Sequence, residues 1–326
     1  MNETSLKVLS ILEEADGSIS GETISTRLGV SRSAVWKHIR ELREWGYEIN
    51  ASRQKGYRLE AATSRLLPHE ISKLLKTRFI GRDIRYHRST ASTTWVAKDL
   101  CSRGDPAALN GTVIVAEEQT GGIGRLGRAW VSPSGGIWFT IILTPDIPID
   151  HLFMITMAGS IAVARAIRKE YDIGALIKWP NDIYIGDKKV SGLLLELSAE
   201  ADTVHYCLLG IGIDANIDPT HLPNEFANTI TSISAETGFE IDRRALLARV
   251  LREFEQRYLL LESEEYESLL REWKSLSLTL DHRVHVRTLR KSVEGEAIDI
   301  DNHGALLIRK DNGRVERVIA GDCNHT

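Results

Sequence analysis

Three cysteines in 326 residues, Cys101, Cys207 and Cys323, are too few, too scattered and odd in number for a disulfide framework. They form no C-x-x-C pair, so a thiolate zinc site is not expected, and a reducing cytoplasm is the expected compartment. Long apolar runs are missing too. The longest, residues 152–164, is interrupted by Thr156, Gly159 and Ser160 and closed by Arg165. A bilayer span needs ~20 apolar residues, so this run is expected to be a buried helix and no membrane partner is expected. The opening MNETSLKVLSILEEADG lacks a signal-peptide core because acids interrupt it. The net charge of −4 excludes a globally basic nucleic-acid binder but leaves room for a local basic face. Internal repeats and low-complexity tracts are absent.

What is present begins with three short helical patterns. Leu6, Leu9 and Leu12 recur at helical spacing, and Ile24 and Leu28 mark a second helix after Ser20. Gly29 breaks that helix and Ser31 can cap a third, SRSAVWKHIRELREWG. Val35, Ile39 and Leu42 share its inner face, whereas Ser33, Trp36, Lys37 and Arg40 share the opposite one and Arg32 sits in the first turn. YEINASRQKGYRL then alternates like two strands around a tight turn, with Arg53, Lys55 and Arg58 on it. A helix-turn-helix followed by a basic hairpin predicts a winged helix. Its second helix enters the major groove and its wing meets phosphates, so Ser31, Arg32, Ser33, Trp36, Lys37, Arg40, Arg53 and Lys55 are the candidate DNA-binding residues. Basic and acidic residues are equal in number over residues 1–62, so charge alone leaves a protein-interaction module open as the alternative.

A boundary follows near residues 61–67, before the Pro68 turn. Beyond it, strand-like runs such as GTVIVAEEQ, IWFTIILTP and VHYCLLGIGIDA alternate with helical patterns at 92–102, 150–171 and 242–272, predicting a mixed sheet backed by helices. After Trp273 come short alternating strands with DNHG and DNG turns, predicting a small β-barrel with no evident catalytic cluster, suited to docking or scaffolding. The expected division is 1–62, 67–272 and 273–326 in an α+β, multi-domain chain.

GGIGRLGRAW, residues 121–130, spaces Gly122, Gly124 and Gly127 as G-x-G-x-x-G. A dinucleotide fingerprint requires a helix to open there, but SPSGG and a second strand-like run follow instead, and no Gly-Lys-Ser/Thr completes a P-loop. The remaining role is a flexible loop between strands whose backbone can approach an anion, with Arg125 and Arg128 able to grip phosphate or carboxylate. The alternative is a mobile surface turn. KWPNDIY adds a lysine, Lys178, at a strand end before a forced turn, placed to neutralise charge on a transferring phosphoryl group unless it is only a solvated cation.

EEQTGGIGRLGRAW, SPSGGIWFT, KWPNDIYIGDKKVSGLLLE and GIGIDAN, in that order, resemble the biotin protein ligases, and the winged helix in front resembles the bifunctional class, which also represses biotin genes. The resemblance implies a class II synthetase-like biotin/lipoate ligase fold with a C-terminal SH3-like β-barrel. It implies ATP, Mg2+ and biotin as reactants, biotinyl-5′-adenylate as intermediate and corepressor, and a lysine of a biotin carboxyl carrier protein as acceptor. Operator DNA is a further implied partner, as is a homodimer in the adenylate-bound state. Carried onto this chain, Ser92, Thr93 and Thr94 match the turn that bonds the biotin ureido ring, with Thr94 in place of the common Asn. Gln119 matches the glutamine before the loop, and Gly122, Gly124, Arg125, Gly127 and Arg128 match the loop itself. Ile123 stands where the family has an arginine. Lys178 matches the principal catalytic lysine, with Arg125 and Arg128 beside it, and Gly192 allows backbone approach to biotin. Asn181 and Asp182 shape the turn, and Asp182 can help with a metal that otherwise arrives with ATP. In GIGIDAN, Asp214 replaces an Asn and Asn216 keeps the second as a binding residue. A biotin-sensing regulator without enzymatic activity and a lipoate ligase are the competing classes.

Overall fold

Asn2, Ser20 and Ser31 each start a helix by lending a side-chain oxygen to the backbone N–H three residues on, at 2.8, 3.0 and 3.1 Å. In this computed structural model, which describes residues 1–200, 203–223, 228–288 and 291–325, the helices are α1 (Glu3–Glu14), α2 (Gly21–Leu28) and α3 (Arg32–Glu44). Gly29 ends α2 in the left-handed region (φ 65°), where a side chain would be strained. Val8, Leu9, Leu12, Ile24, Val35, Ile39 and Leu42 are fully or nearly fully buried and form the core of this bundle. Strands β1 (Glu48–Ser52) and β2 (Gly56–Ala61) pair antiparallel as the wing. These elements make one compact unit, Met1–Arg65; the second is Leu66–Thr326.

The second unit is built on a seven-stranded sheet in the order β3-β4-β5-β9-β8-β7-β6. Its strands are β3 (Ile84–Thr90), β4 (Val113–Gln119), β5 (Ile137–Leu143), β6 (Ala175–Lys178), β7 (Asp182–Ile185), β8 (Lys188–Glu200) and β9 (Thr203–Ile213). Only β3 and β4 run parallel. Alternate residues bury on opposite faces. Val113, Val115, Phe139, Ile141, Leu209 and Ile211 join the main core, whereas Ile114, Ile142 and Leu208 pack with Ala97 and Cys101 of α5 (Thr93–Arg103).

The main face is covered by α6 (Phe153–Tyr171), on which α8 (Arg243–Glu262) and α9 (Tyr266–Ser275) pack; two shorter helices are α4 (Pro68–Leu74) and α7 (Ile233–Thr237). The apolar run 152–164 extends further than its hydropathy suggests. With the turn before it, residues 149–171 are long enough to cross a membrane by length and composition, but 72% of the most apolar window is buried inside the fold. The helical pattern 242–272 is two helices rather than one. The chain breaks at Ser263–Glu265 with Glu264 at φ 59°, which re-aims α9 so that Leu269 and Trp273 bury.

A buried ion pair fixes the end of β4. Glu117 accepts the Leu66 N–H (2.8 Å) and meets Arg243 at 2.8 Å, and Arg243 also donates to the Gly136 carbonyl at 3.0 Å. Both charges are thus paired and hydrogen-bonded, the condition under which burial is tolerated.

The tail forms an antiparallel sheet, β13-β12-β11-β10-β14, from β10 (Arg283–Arg287), β11 (Ser292–Ile300), β12 (Leu306–Arg309), β13 (Val315–Val318) and β14 (Asp322–His325). DNHG and DNG make its β11–β12 and β12–β13 turns. Val284, Val286, Val293, Ala297, Ile300, Leu306 and Ile308 belong to the same apolar cluster as the large sheet.

Candidate functional site

On the α5 face of the large sheet, three positions carry no side chain. Gly192 of β8 pairs with Gly212 of β9, which also pairs with Trp138 of β5, and Gly210 pairs with Thr140. The gap is the floor of a cavity of about 600 Å³. The Trp130 ring lies across it, so a Cβ added at Gly212 would stand 2.6 Å from Trp130 Nε1, and one at Gly192 3.0 Å from its ring carbons.

The start of α5 supplies one wall. The Thr93 N–H and hydroxyl both donate to Gln119 Oε1 (2.8 and 3.0 Å), and Gln119 Nε2 donates to Ser132 Oγ at 2.9 Å. Thr94 Oγ1 lies 3.0 Å from Thr140 Oγ1. Ser92 is the N-cap residue of α5 and lines the cavity without a side-chain capping bond.

Residues 121–130 form the roof. They make a tight hairpin rather than the open loop that the glycines suggest: Trp130 N–H donates to Gly122 O at 2.9 Å and Gly124 N–H to Arg128 O at 2.8 Å. Leu126 (φ 57°) and Gly127 (φ 73°) take the two left-handed positions of its turn, as the twist of a two-residue hairpin demands. Ile123, Gly124, Arg125 and Arg128 line the cavity. Gly122 does not: it is packed beneath the Trp130 carbonyl, 2.5 Å from where a Cβ would stand.

Lys178 ends β6 at the mouth of the KWPND turn. The next residue anchors it: Trp179 is 2% exposed, its N–H donates to Thr279 Oγ1 (2.9 Å), and its indole N–H donates to Gly304 O (3.1 Å). Lys178 Nζ donates to Tyr184 OH at 3.4 Å and lies 4.7 Å from that ring's centre. Among the described residues no carboxylate lies within ion-pair distance of Lys178; the nearby Asp182 is taken by Lys189 at 2.6 Å. Burial and Asp182 push the Tyr184 phenol up to about 12, so it stays neutral.

Arg125 spans the cavity, donating to Asn181 Oδ1 (2.9 Å) and Gly321 O (3.1 Å). Burial lowers its guanidinium below the ordinary value, opposed by Asp182 and Asp322, and it remains charged. Arg128 bonds Asp322, which raises the one and holds the other below the usual carboxylate range. The tail expected to lack catalytic groups therefore closes one side of the cavity with Arg287, Asp322 and Asn324.

Asp214 lies at the end of β9 and lines the cavity, yet it is 3% exposed and its Oδ2 has no hydrogen-bond partner among the described residues. Burial lifts its carboxyl well above the usual range, with Lys189 only partly offsetting this. Asn216, expected among the binding residues, does not reach the cavity. Its amide accepts the Ile241 N–H (2.8 Å) and donates to Ile241 O (2.9 Å), fastening the chain before α8. The residues that sequence reasoning passed over, Trp130, Tyr184, Lys189, Asp322 and Asn324, either adjoin a recognised motif or arrive from the tail.

In the first unit Arg32, Ser33, Trp36, Lys37 and Arg40 are all exposed along α3, with Arg40 5.2 Å from the Trp36 ring centre. Ser31 is exposed at the N-cap, its hydroxyl holding Ala34 N–H. Arg53 and Lys55 are exposed at the tip of the wing and Arg58 lies on β2.

Comparison with known proteins gives three family matches: Biotin/lipoate A/B protein ligase over residues 88–214, an HTH domain over 4–58, and Biotin protein ligase C terminal domain over 279–325. The chain is 39% identical over 305 residues, 93% of each chain, to the bifunctional ligase/repressor BirA of Bacillus subtilis. It is 29% identical to its counterpart in Escherichia coli over 95% of this chain and 94% of that one. Among solved structures, a biotin protein ligase from Aquifex aeolicus, in complex with biotin and ATP, superposes with a TM-score of 0.66 at 27% identity, covering 75% of this chain and 99% of that one.

Asp214 gives a stability test. Unfolded, its carboxyl titrates near 3.8; folded, well above, so the folded state holds the proton more tightly. Stability is therefore greatest below the unfolded value and falls as pH rises through the folded one, by up to ~1.4 kcal/mol per pH unit. Asp214→Asn keeps the shape and removes that loss. Denaturation at about pH 5 and pH 8 should show the variant gaining on the parent as pH rises; a constant or shrinking gap would refute the upward shift at Asp214.

Proposed function

Because this chain belongs to the biotin protein ligases of the bifunctional ligase/repressor kind, we propose that its cavity makes biotinyl-5′-adenylate at a lysine left uncompensated for that purpose. The protein is an ATP-dependent biotin ligase and a DNA-binding repressor. The observation that carries the proposal is Lys178: a cation fixed by its buried neighbour, facing a cavity, with a neutral phenol for company.

In the first step a biotin carboxylate oxygen attacks the α-phosphorus of ATP, the bond to the β-phosphate oxygen breaks, and pyrophosphate leaves. Two anions must meet, so the barrier is largely electrostatic. Lys178 sits between the incoming carboxylate and the α-phosphate, and Arg125 and Arg128 hold the phosphate side. Ser92, Thr93, Thr94 and Gln119 offer the hydroxyl and amide groups that bond the ureido ring. Gly192 leaves room over the floor, Ile123 and Gly124 cover the adenylate, and the hairpin with Trp130 excludes water from the mixed anhydride. In the second step the neutral ε-amine of an acceptor lysine, on a biotin carboxyl carrier protein, attacks the acyl carbon and AMP departs with the bonding pair.

Magnesium, which neutralises polyphosphate charge, is inferred to enter with ATP, and Asp182, here paired with Lys189, is the cavity carboxylate that would turn to hold it. One carboxylate plus phosphate oxygens suits Mg2+. Asp214, buried and with its carboxyl pushed well above the usual range, suits it less.

For regulation we infer that 1–62 reads operator DNA through α3 and the wing, that 67–272 carries catalysis, and that 273–326 completes the cavity. The proposed dimer of the adenylate-bound form is supported by the exposed apolar side chains at the hairpin tip, Ile123 at 45% and Leu126 at 59%. A cytoplasmic location is supported by the three unpaired thiols.

The direct test incubates the protein with biotin, ATP, Mg2+ and a carrier domain, with lipoate as competitor. Biotin-dependent mass gain on the carrier is expected; an unlabelled carrier, or preferential lipoylation, would refute the assignment. Lys178→Ala should slow adenylate formation by ~10²–10³-fold or more with thermal stability unchanged, measured by pyrophosphate release. Lys37→Ala should weaken operator binding and lower its salt slope by about one, leaving ligation intact. An equal loss of ligation would undo the division of labour.

A further inference from the structure

Away from the cavity, two segments far apart in sequence bring two imidazoles and a carboxylate together. Asp150 and His151 lie in the 3₁₀ turn Ile149–His151 that leads into α6, and His303 lies in the β11–β12 turn. One ligand atom from each lies within 4.8 Å of the others. His151 Nδ1 is 2.9 Å from Asp150 Oδ1, and His303 Nδ1 is 3.3 Å from the Asp150 carbonyl and 3.8 Å from its carboxylate. We propose that Asp150, His151 and His303 form a surface site for a late first-row divalent ion, zinc being the one in view, which staples the tail to the head of α6.

The geometry is close to what such an ion needs. Ligands at ~2.1 Å in a tetrahedral shell stand roughly 3.4 Å apart, so a contraction of at most about 1.4 Å from the observed 4.8 Å closes the site. Two imidazoles with one carboxylate, leaving a position open to water, favour zinc, cobalt, nickel or copper over the oxygen-seeking Mg2+ and Ca2+.

Both imidazoles are held in advance. His151 stacks on Tyr266 (4.3 Å between ring centres, 18° between planes). The His303 turn is fastened by Asp301 Oδ1, which accepts the His303 and Ala305 N–H groups at 2.9 Å each. Gly304 packs so closely on α6 that a Cβ there would stand 2.4 Å from Phe153. Asp150 has no Lys or Arg within ion-pair distance among the described residues; its side-chain partners are the two histidines. The same turn supplies the Gly304 carbonyl that receives the Trp179 indole. An ion here would therefore stiffen the seat of the KWPND turn.

The test uses the full chain, freed of metal by chelation and then titrated with Zn2+ by calorimetry and with Co2+ by visible absorption. One high-affinity equivalent, a Co2+ band of nitrogen–oxygen coordination and a higher melting temperature are expected, with no response to Mg2+. His303→Gln and Asp150→Asn should each weaken Zn2+ by at least ~10-fold. His325→Gln alters the separate stacked pair His282–His325 and should leave binding unchanged. Undiminished binding in the first two variants, loss in the third, or an equal response to Mg2+ would overturn the site.

Discussion

The cavity depends on a strip of sheet that carries no side chains. Protein interiors are packed as densely as organic crystals, so an opening against a sheet survives only where side chains are withheld. Gly192, Gly210 and Gly212 withhold them on one face of two adjoining strands, while Leu193, Leu209 and Ile211 on the opposite face hold the same strands to the main core. The sheet is thus anchored from behind at the place where it is bare in front. Trp130 then has a floor to lie on, and its ring also meets Trp138 edge-on at 6.5 Å. Side chains added at Gly192 and Gly212 would evict the indole, and with it the hairpin that roofs the cavity.

Charge within this opening is arranged by denying partners as much as by supplying them. Lys178 is fastened through the backbone and indole of Trp179, so its ammonium group does not need an acid to hold it. Asp182, the acid directly opposite it on β7, is occupied by Lys189. Asp322 is occupied by Arg128, and burial raises the Asp214 carboxyl well above the usual range, which works against a negative charge there. Positive charge is left facing the space where two anions would meet, in surroundings less polar than water, where each charge acts more strongly.

The KWPND turn and the winged helix were legible because each is a local device. Ser31 and Gly29 declare the limits of helices, Pro180 forces a turn, and alternation exposes β1 and β2. The conformation of residues 121–130 was half legible. Glycine announces freedom, but the closed hairpin depends on Leu126 adopting a left-handed backbone, which a leucine does not advertise. The role of the tail was not legible at all, since the pair Arg128–Asp322 joins residues 194 apart in sequence and Asp322 stands in no recognisable pattern. Asn216 was misplaced for the converse reason. An asparagine next to a ligand cavity and one that fastens a loop look the same in a string of letters, and only the Ile241 backbone tells them apart.

The substitution at Ile123 bears on how much each cation near the phosphates matters. The resemblance implies an arginine there, where this chain has a half-exposed isoleucine whose backbone pairs with Ala129. An exposed cation at that position would be screened by solvent and held only by its own flexible stem. The cations that remain are better placed. Arg125 is drawn inward and fixed at two points, Lys178 is fixed through its neighbour, and Lys189 lies 4.8 Å from the Trp130 ring with only 21% of its side chain exposed. Electrostatic stabilisation grows with preorganisation and with exclusion of water rather than with the number of charges. On that ground the cradle loses little by the change, and an apolar residue at the hairpin tip gains what an arginine there would lack: a surface that another apolar surface can cover.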